Sequence, residues 1–194
     1  MIEKGKTICV YGASSAQLPA EYFAAARELG KEIASRGLTL VTGAGRAGLM
    51  AAVNDGAIAE GGTTVGIIPR FMHERGWTHA GLTEVVVTAD MHERKQEMAR
   101  LSRAVIALPG GSGTLEELLE IITWRQLGLF EGQVVLLDTM GYYQPLLAMF
   151  ERAIADGFMT EQHRTIWRVA ATPAEAVDLA MQTPEVETFH PKIN

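Results

Sequence analysis

The sequence predicts an α/β protein with a Rossmann-like, doubly wound parallel sheet that forms a single domain over residues 1–194. Short, nearly continuous apolar segments alternate along the chain with longer segments whose apolar residues recur at helical spacing. Such strands are typical of a parallel sheet that helices cover on both faces. With 194 residues, 47% of them apolar, the chain can bury a substantial core, and no repeat or linker divides it.

The predicted elements follow one another regularly. The pattern predicts strands at residues 7–11, 38–42, 63–68, 83–88, 104–108 and 134–137, with a short edge element at 166–170. It predicts helices at residues 19–36, 49–59, 91–102, from 114 onward, 142–155 and 173–181. Residues 71–81 show no clear period, which indicates a loop or a short helix near the site. In an open sheet, ligands bind at the carboxyl ends of the strands, so the loops after the first, second and fifth strands are expected to converge there.

The strongest functional signal is the turn between the fifth strand and the next helix. Its residues are Pro109, Gly110, Gly111, Ser112 and Gly113, and the helix opens at Thr114. Glycines let backbone N–H groups approach a ligand closely, and the first turn of a helix presents unpaired N–H donors at the positive end of its dipole. The expected ligand group is therefore an anion, above all a phosphate. The alternative is a glycine turn that chain geometry alone requires.

Charged residues on two helices are expected to complete the site. Glu116 and Glu117 lie too close to the N–H donors to bind the phosphate, and are expected to meet hydroxyl groups or positive charge on the rest of the ligand. Arg94 offers a planar fork of donors, and Lys95 a point charge, on a helix for which Asp90 is the expected N-cap. A solvated, ion-paired helix face is the alternative, but this helix starts at the same sheet edge as the glycine turn.

A second glycine-rich loop follows the second strand, where Gly43, Gly45 and Gly48 fit the pattern GxGxxG. A dinucleotide site is disfavoured because the motif does not follow the first strand. In addition, Pro69 and Arg70 stand where an acid for the adenosine ribose would be expected. We therefore expect this loop to line the same pocket, or to pack its helix closely against the sheet.

The loop after the first strand is expected to line the pocket through Gly12 and Ser14. No serine lies in a GxSxG nucleophile elbow, so Ser14 and Ser112 are expected to donate from their loops to phosphate or to the backbone. The five histidines are not paired at metal-ligand spacing, and Cys9 is the single cysteine. The sequence therefore predicts neither a metal site nor a cofactor.

Composition argues against several classes of partner. The formal net charge of −6 disfavours a general affinity for nucleic acid or for an anionic membrane. No apolar run has the length of a signal peptide or of a membrane span. Cys9 cannot form an internal disulfide and is expected to be a small core residue, which fits a reducing compartment. We therefore expect a soluble, cytoplasmic protein.

The sequence resembles the LOG (Lonely guy) family over nearly its whole length. The segments that carry the resemblance are GLM at 48–50, GIIP at 66–69, ADMHERK at 89–95, LPGGSGTLEELLE at 108–120 and TWRQLG at 123–128. Members of this family are cytokinin riboside 5′-monophosphate phosphoribohydrolases, are often dimeric, and many carry the label lysine decarboxylase. That label has no support in the residues, because no lysine lies in a context that would form the usual pyridoxal phosphate Schiff base.

The resemblance implies a homodimer that binds a nucleoside monophosphate. Residues 110–114 would hold the 5′-phosphate, and Arg94, Lys95 and Glu117 would complete the pocket, with Arg94 and Glu117 in the catalytic role. Such an enzyme releases ribose 5-phosphate and a free base, which is adenine or a prenylated adenine. Glu117 would stabilise the positive charge that develops on the ribose or activate the attacking water. Arg94 would neutralise the phosphate or polarise the leaving base.

Base specificity and turnover remain open at this stage. Many relatives have a substrate-contacting glutamate where this chain has Gly76, and Glu74 is the nearest possible replacement. A second hypothesis is a carrier that binds a nucleotide or a phosphorylated cofactor without turnover, against which Arg94 and Glu117 argue. A third, an NAD-dependent enzyme, is disfavoured by the missing acid after Ile68.

Overall fold

The computed structural model describes residues 4–183 and contains seven strands. These are β1 Thr7–Tyr11, β2 Thr39–Thr42, β3 Thr64–Pro69, β4 Glu84–Thr88, β5 Ala104–Ala107, β6 Gln133–Leu137 and β7 Trp167–Ala170. They form one sheet in the order β4-β3-β2-β1-β5-β6-β7, and every pair of neighbours is parallel. The α/β, Rossmann-like fold predicted from the sequence is confirmed.

Helices connect successive strands. They are α1 Ala20–Ser35, α2 Gly48–Ala59, α3 Arg70–Glu74, α4 Met91–Leu101, α5 Ser112–Gln126, α6 Gln144–Ala155 and α7 Pro173–Met181, with short 3-10 turns at Lys4–Lys6, Thr139–Gly141 and Glu161–Thr165. The predicted N-cap of α4 is confirmed, because the Asp90 carboxylate accepts hydrogen bonds from the N–H groups of His92 and Glu93. The expected short edge element is present as β7.

The topology creates a crevice beside the central strand. From β1 the chain builds outward to β4, and it then returns to place β5 on the other side of β1. Helix α1 packs on one face of the sheet, and α5 packs on the opposite face. The loops after β1 and β5 therefore part at the carboxyl edge, which is where open α/β sheets bind their ligands.

Two hydrophobic cores lie on the two faces of the sheet, because side chains alternate along each strand. Ile8 and Val10 pack towards α1, α2 and α7, whereas Cys9 and Tyr11 pack towards α4, α5 and α6. Cys9 is fully buried, as the sequence predicted, and this burial raises the pKa of its thiol. Cys9 is therefore a packing residue rather than a nucleophile.

Several boundaries differ from the predicted ones. Strand β5 ends one residue earlier, at Ala107, and α5 begins at Ser112 instead of Thr114. The helix expected from residue 142 begins at Gln144, and it is preceded by a 3-10 turn at Thr139–Gly141 in which Met140 has a φ of 58°. Residues 71–81 contain most of the short helix α3, followed by a turn at Gly76 with a φ of 70°.

Close packing of α1 against α2 requires Gly56, since a Cβ there would overlap the Arg27 backbone. We expect Gly56→Ala to lower the free energy of unfolding by about 1–3 kcal/mol. This loss outweighs the gain in helix propensity, which is about 1 kcal/mol. Urea denaturation measures the change, with Gly5→Ala as the control because a Cβ at Gly5 meets open space. Equal or higher stability of Gly56→Ala would contradict this account of the packing.

Candidate active site

In the loop between β5 and α5, the carbonyl oxygens accept hydrogen bonds from protein groups, whereas the N–H groups of residues 110–114 donate none to the described residues. The carbonyl oxygens accept from protein donors: Leu108 from the Tyr143 hydroxyl at 2.7 Å, Pro109 from Ala13 N at 3.2 Å, Gly110 from the Tyr142 hydroxyl at 2.5 Å and Gly111 from Leu115 N at 3.0 Å. No acceptor among residues 4–183 bonds to the N–H groups of Gly110, Gly111, Ser112, Gly113 and Thr114. Five donors at the positive end of a helix form a ready site for an anion.

The glycines of this loop serve two different purposes. A Cβ at Gly110 would overlap the side chain of Thr114, which is itself buried, so close packing requires a glycine there. Gly111 and Gly113 are exposed, and no atom lies within 4 Å of the place where a Cβ would stand. Ser112 lies exposed between them. A ligand can therefore reach the N–H groups of residues 111–113 from solvent.

The loop after β1 is locked against the glycine loop and against α2. Ala13 N donates to Pro109 O, and Ala13 O accepts from Leu49 N at 2.8 Å. Gly12 is buried, and a Cβ there would lie 3.3 Å from the Cβ of Leu108, which indicates a packing role. Ser14 is exposed at the mouth of the crevice, with its hydroxyl available to a ligand.

Each glycine of the GxGxxG pattern has a packing explanation. A Cβ at Gly43 would overlap the guanidinium of Arg94, and a Cβ at Gly48 would overlap the loop after β1. Gly48 also has a φ of 66°, which favours glycine. The N–H of Gly45 is directed at Sδ of Met50, 2.9 Å away. Close approach of α2 to the loop after β1 accounts for Gly48, whereas Gly43 is accounted for by the Arg94 guanidinium on α4.

Arg94 and Glu117 form a buried ion pair beneath the glycine loop. Nη1 of Arg94 donates to Oε1 of Glu117 at 2.9 Å, and the two side chains are only 5% and 9% exposed. Nε of Arg94 donates to the carbonyl oxygen of Ile67 at 3.2 Å. Burial raises the pKa of Glu117, and the charge and hydrogen bond of Arg94 oppose that rise. The pair therefore holds a carboxylate in a weakly solvated position one turn from the anion site.

Lys95 and Glu116, both expected to contact the substrate, bond instead to protein groups. Nζ of Lys95 donates to Glu116 at 2.5 Å and to Glu120 at 3.1 Å, so that this lysine ties α4 to α5. Burial alone would lower the pKa of Lys95, but these two carboxylates outweigh it and raise the pKa. The side chain of Glu116 is 56% exposed and can still face a ligand at the surface.

The segment after β3 is fastened to the loop after β2. Arg46 N donates to the carbonyl oxygen of Trp77 at 3.1 Å, and His79 N donates to that of Ala44 at 2.9 Å. These bonds place Trp77 beside the loop after β2. The same loop contains Gly43, against which the Arg94 guanidinium lies. Phe71 and Trp77 are 45% and 40% exposed, so the segment presents aromatic surface at this edge of the sheet.

Sequence reasoning missed the two tyrosines that bond to the glycine loop. The helical spacing of Tyr142 and Tyr143 is typical of core or interface residues, and Tyr143 is buried while Tyr142 is 38% exposed. Trp124 and the segment 127–130 have the composition of a subunit interface or a base-stacking surface. They lie at the far end of α5, about 20 Å from the anion site, so they do not stack on a ligand bound there.

Two further features bear on the site. No group of three His, Cys, Asp or Glu side chains within residues 4–183 is placed to hold a metal ion. In the same part of the chain, no helix is long and apolar enough to cross a bilayer. The chemistry on hand at the crevice is therefore that of backbone N–H donors, loop hydroxyls, and a carboxylate paired with a guanidinium.

Comparison with known proteins finds similar sequences. A family model described as "Possible lysine decarboxylase" matches residues 50–180. The Oryza sativa subsp. japonica protein named cytokinin riboside 5′-monophosphate phosphoribohydrolase LOG is 46% identical over 184 residues, which cover 94% of this chain and 76% of that protein. The Arabidopsis thaliana protein named cytokinin riboside 5′-monophosphate phosphoribohydrolase LOG1 is 43% identical over 190 residues, or 98% of this chain and 88% of that protein.

Solved structures of similar fold come from cofactor carriers. The molybdenum cofactor carrier protein of Chlamydomonas reinhardtii superposes with a TM-score of 0.67 at 29% identity, over 91% of this chain and 96% of that one. The molybdenum cofactor binding protein of Rippkaea orientalis superposes with a TM-score of 0.68 at 25% identity, over 89% and 93%. The fold is therefore shared by proteins whose names describe catalysis and by proteins whose names describe binding.

Replacement of Arg94 by methionine would leave the Glu117 carboxylate buried without its partner. We expect Arg94→Met to lower the free energy of unfolding at pH 7 by about 3–5 kcal/mol. The folded-state pKa of Glu117 would rise further above its unfolded value of about 4.3. The loss of stability relative to the parent is therefore smallest at a pH below the unfolded-state pKa. It grows as the pH rises through the folded-state pKa of Glu117 in the variant.

Urea denaturation from pH 4 to pH 8 measures this deficit. The double variant Arg94→Met/Glu117→Gln is the control, because it carries no charge at residue 117 and its deficit should not change with pH in this way. The same pH dependence in both variants would show that Glu117 is not the group responsible.

Proposed function

We propose that this chain, which belongs to the LOG family, hydrolyses the N-glycosidic bond of adenosine 5′-monophosphates and releases the free base and ribose 5-phosphate. Relatives that are 43–46% identical bear the name of this activity. The observation that carries the proposal is the placement of two groups on the first turns of α5. Unbonded N–H groups open the helix, and the buried carboxylate of Glu117 follows one turn later.

The anion site is proposed to hold the 5′-phosphate of the nucleotide. The N–H groups of residues 111–114 donate to its oxygens, the dipole of α5 favours its charge, and the hydroxyls of Ser14 and Ser112 add further donors. A phosphate in this position directs the ribose along α5 towards Glu117. Lys95 and Glu116 lie at the rim of the proposed substrate site. Their contribution is structural, because the ion pairs of Lys95 with Glu116 and Glu120 hold α4 against α5.

Glu117 is proposed to act on the ribose ring and on the attacking water. Cleavage of the bond between C1′ and the base leaves the electron pair on the base and builds positive charge on the ribose, which a nearby carboxylate stabilises. Water then adds to C1′ and its proton passes to Glu117 as general base, while the departing base takes up a proton from the solvent. Glu117 returns its proton to the solvent, so the products are the free base and ribose 5-phosphate, one water is consumed, and the reaction needs no redox partner.

Arg94 is proposed to hold Glu117 rather than to bind the phosphate. Its Nη1 and Nε are both engaged, with the Glu117 carboxylate and with the carbonyl oxygen of Ile67. Its positive charge opposes the rise in the Glu117 pKa that burial causes. Arg94 thereby favours the ionised form of the carboxylate and holds it in one orientation.

The remaining proposals concern the setting of the reaction. We propose that the enzyme works in the cytoplasm without a metal ion or organic cofactor, and that it forms a homodimer. The exposed side chains of Leu119, Leu127 and Leu129, at 42%, 57% and 70%, support an interface on the outer side of α5 and its following turn. Sedimentation equilibrium of the purified protein tests the dimer, and a monomer at all concentrations would refute it.

A carrier of nucleotides or phosphorylated cofactors is the second candidate function. Its support is the structural similarity to two molybdenum cofactor proteins, at identities of 25–29%. A carrier needs the anion site but not a buried, arginine-paired carboxylate beside it. The ion pair of Arg94 and Glu117 therefore favours the hydrolase.

A product assay distinguishes these candidates. The purified protein is incubated with AMP and with isopentenyladenosine monophosphate, and free base is followed by chromatography. Base from the prenylated nucleotide would establish the cytokinin-releasing activity, which the exposed rings of Phe71 and Trp77 favour because they offer apolar surface near the site. Base from AMP alone would indicate a general nucleotide hydrolase. Tight binding of monophosphate with no base released would favour the carrier.

The role of Glu117 gives a quantitative prediction. We expect Glu117→Gln to lower kcat by about 10²–10⁴-fold, while KM for the monophosphate changes by less than about threefold because the phosphate donors remain. Glu116→Gln is the matched control and should keep most of the activity, since Lys95 retains Glu120 as a partner. Normal turnover by Glu117→Gln would remove Glu117 from the chemistry.

The pH profile tests the same carboxylate. Burial raises the pKa of Glu117, so kcat/KM should fall on the acid side with a midpoint above the value of about 4.3 of an ordinary glutamate. Arg94→Gln removes the opposing charge and should move this midpoint to higher pH in whatever activity remains. A midpoint that stays in place would argue against Glu117 as the titrating group.

A further inference from the structure

Two tyrosine hydroxyls donate to the glycine loop from a distant part of the chain. The Tyr142 hydroxyl donates to Gly110 O at 2.5 Å and the Tyr143 hydroxyl to Leu108 O at 2.7 Å, across 32 and 35 residues of sequence. Both follow the 3-10 turn after β6, where the Asp138 carboxylate accepts from Tyr143 N at 2.6 Å. The turn thus brings two phenolic donors to carbonyl groups only two residues apart.

Only one of these two hydrogen bonds can fix the orientation of a neighbouring N–H group. The peptide unit is planar and trans, so its C=O and the next residue's N–H point in opposite directions. A bond to Gly110 O therefore directs Gly111 N–H to the opposite side of the peptide, and Gly111 itself is exposed. A bond to Leu108 O directs no donor, because the next residue is Pro109 and has no N–H.

The Gly110–Gly111 peptide needs such a restraint more than its neighbours do. Glycine populates backbone conformations with φ of either sign, so a peptide unit between two glycines rotates at little steric cost. Rotation by half a turn would present a carbonyl oxygen to the ligand in place of an N–H. That exchange would turn an attraction for phosphate into a repulsion. The Tyr142 hydroxyl bonds to the carbonyl that has to remain turned away.

The position of Tyr142 suits this task rather than core packing. Its ring is 38% exposed, whereas that of Tyr143 is 1% exposed. It is braced edge-on by Tyr22, with ring centroids 6.2 Å apart, and by Tyr143, at 5.2 Å. The hydroxyl makes no other hydrogen bond to a side chain or backbone group within residues 4–183.

We propose that Tyr142 is a positioning residue that holds the Gly110–Gly111 peptide with its N–H towards the phosphate of the ligand. The proposal rests on the proposed function only in assigning a 5′-phosphate to this loop. Loss of the hydroxyl lets the peptide sample the rotated state, so that only a fraction of molecules presents the donor. Affinity for ligands that carry the phosphate falls, and affinity for the unphosphorylated nucleoside does not.

The test compares Tyr142→Phe with Tyr143→Phe. Calorimetric titration with AMP and with adenosine is made in the Glu117→Gln background, where AMP should remain intact, and steady-state kinetics of the variants with Glu117 present separate KM from kcat. We expect Tyr142→Phe to weaken AMP binding and raise KM about 5–10-fold, the size of one lost hydrogen bond. Adenosine binding and kcat should stay within about twofold. Tyr143→Phe should lower the melting temperature and leave AMP binding within about twofold.

The outcomes separate this proposal from the proposed function. Unchanged AMP binding in Tyr142→Phe, or equal losses for AMP and adenosine, would overturn the proposal, as would equal losses of AMP binding in both variants. A parent protein that binds AMP without releasing base would defeat the hydrolase, yet weaker AMP binding in Tyr142→Phe would still support the role of Tyr142. A parent that binds neither AMP nor isopentenyladenosine monophosphate would overturn both.

Discussion

The buried ion pair of Arg94 and Glu117 constrains the structure around it. Two charges withdrawn from water are tolerated only when each keeps close partners, and the guanidinium accordingly also donates to Ile67 O. This arrangement requires β3, α4 and α5 to meet at one point. It also requires Gly43, since any side chain there would occupy the place of the guanidinium. A glycine that suggests a nucleotide loop is thus explained by the charge pair on the next helices.

Helix α5 carries both the proposed phosphate donors and the proposed catalytic carboxylate, and its periodicity sets their placement. One side, with Thr114, Glu117 and Leu118, is buried against the sheet, while Glu116 and Glu120 reach across to Lys95 on α4. The N–H donors open this helix, and the Cα of Glu117 lies about 4.5 Å further along its axis than that of Thr114. One rigid element can therefore set the distance between the group that is bound and the bond that breaks.

The fold could be predicted in detail because strand and helix patterns are local. Apolar runs marked the strands, and the boundaries of α5 and α6 each differ by two residues from those predicted. The glycine loop could also be predicted, because its function lies in consecutive backbone groups. The resemblance to a family supplied Arg94 and Glu117 as catalytic residues.

Long-range pairing is the part of the site that could not be predicted. Lys95 pairs with Glu116 and Glu120 only because α4 lies beside α5, and the spacing within either helix does not reveal this. Tyr142 follows the periodicity of a core or interface position, yet its hydroxyl acts on Gly110, 32 residues earlier. The signal that would identify such a residue is the three-dimensional environment of its polar atom.

The central claim is that the phosphate donors and the Glu117 carboxylate act on one nucleotide at the same time. A crystal structure of Glu117→Gln with bound AMP tests this most directly, because the substrate should remain intact. We predict phosphate oxygens at about 2.7–3.2 Å from the N–H groups of residues 111–114, with C1′ of the ribose facing the side chain at residue 117. A phosphate bound elsewhere, or a ribose turned away from residue 117, would contradict the account.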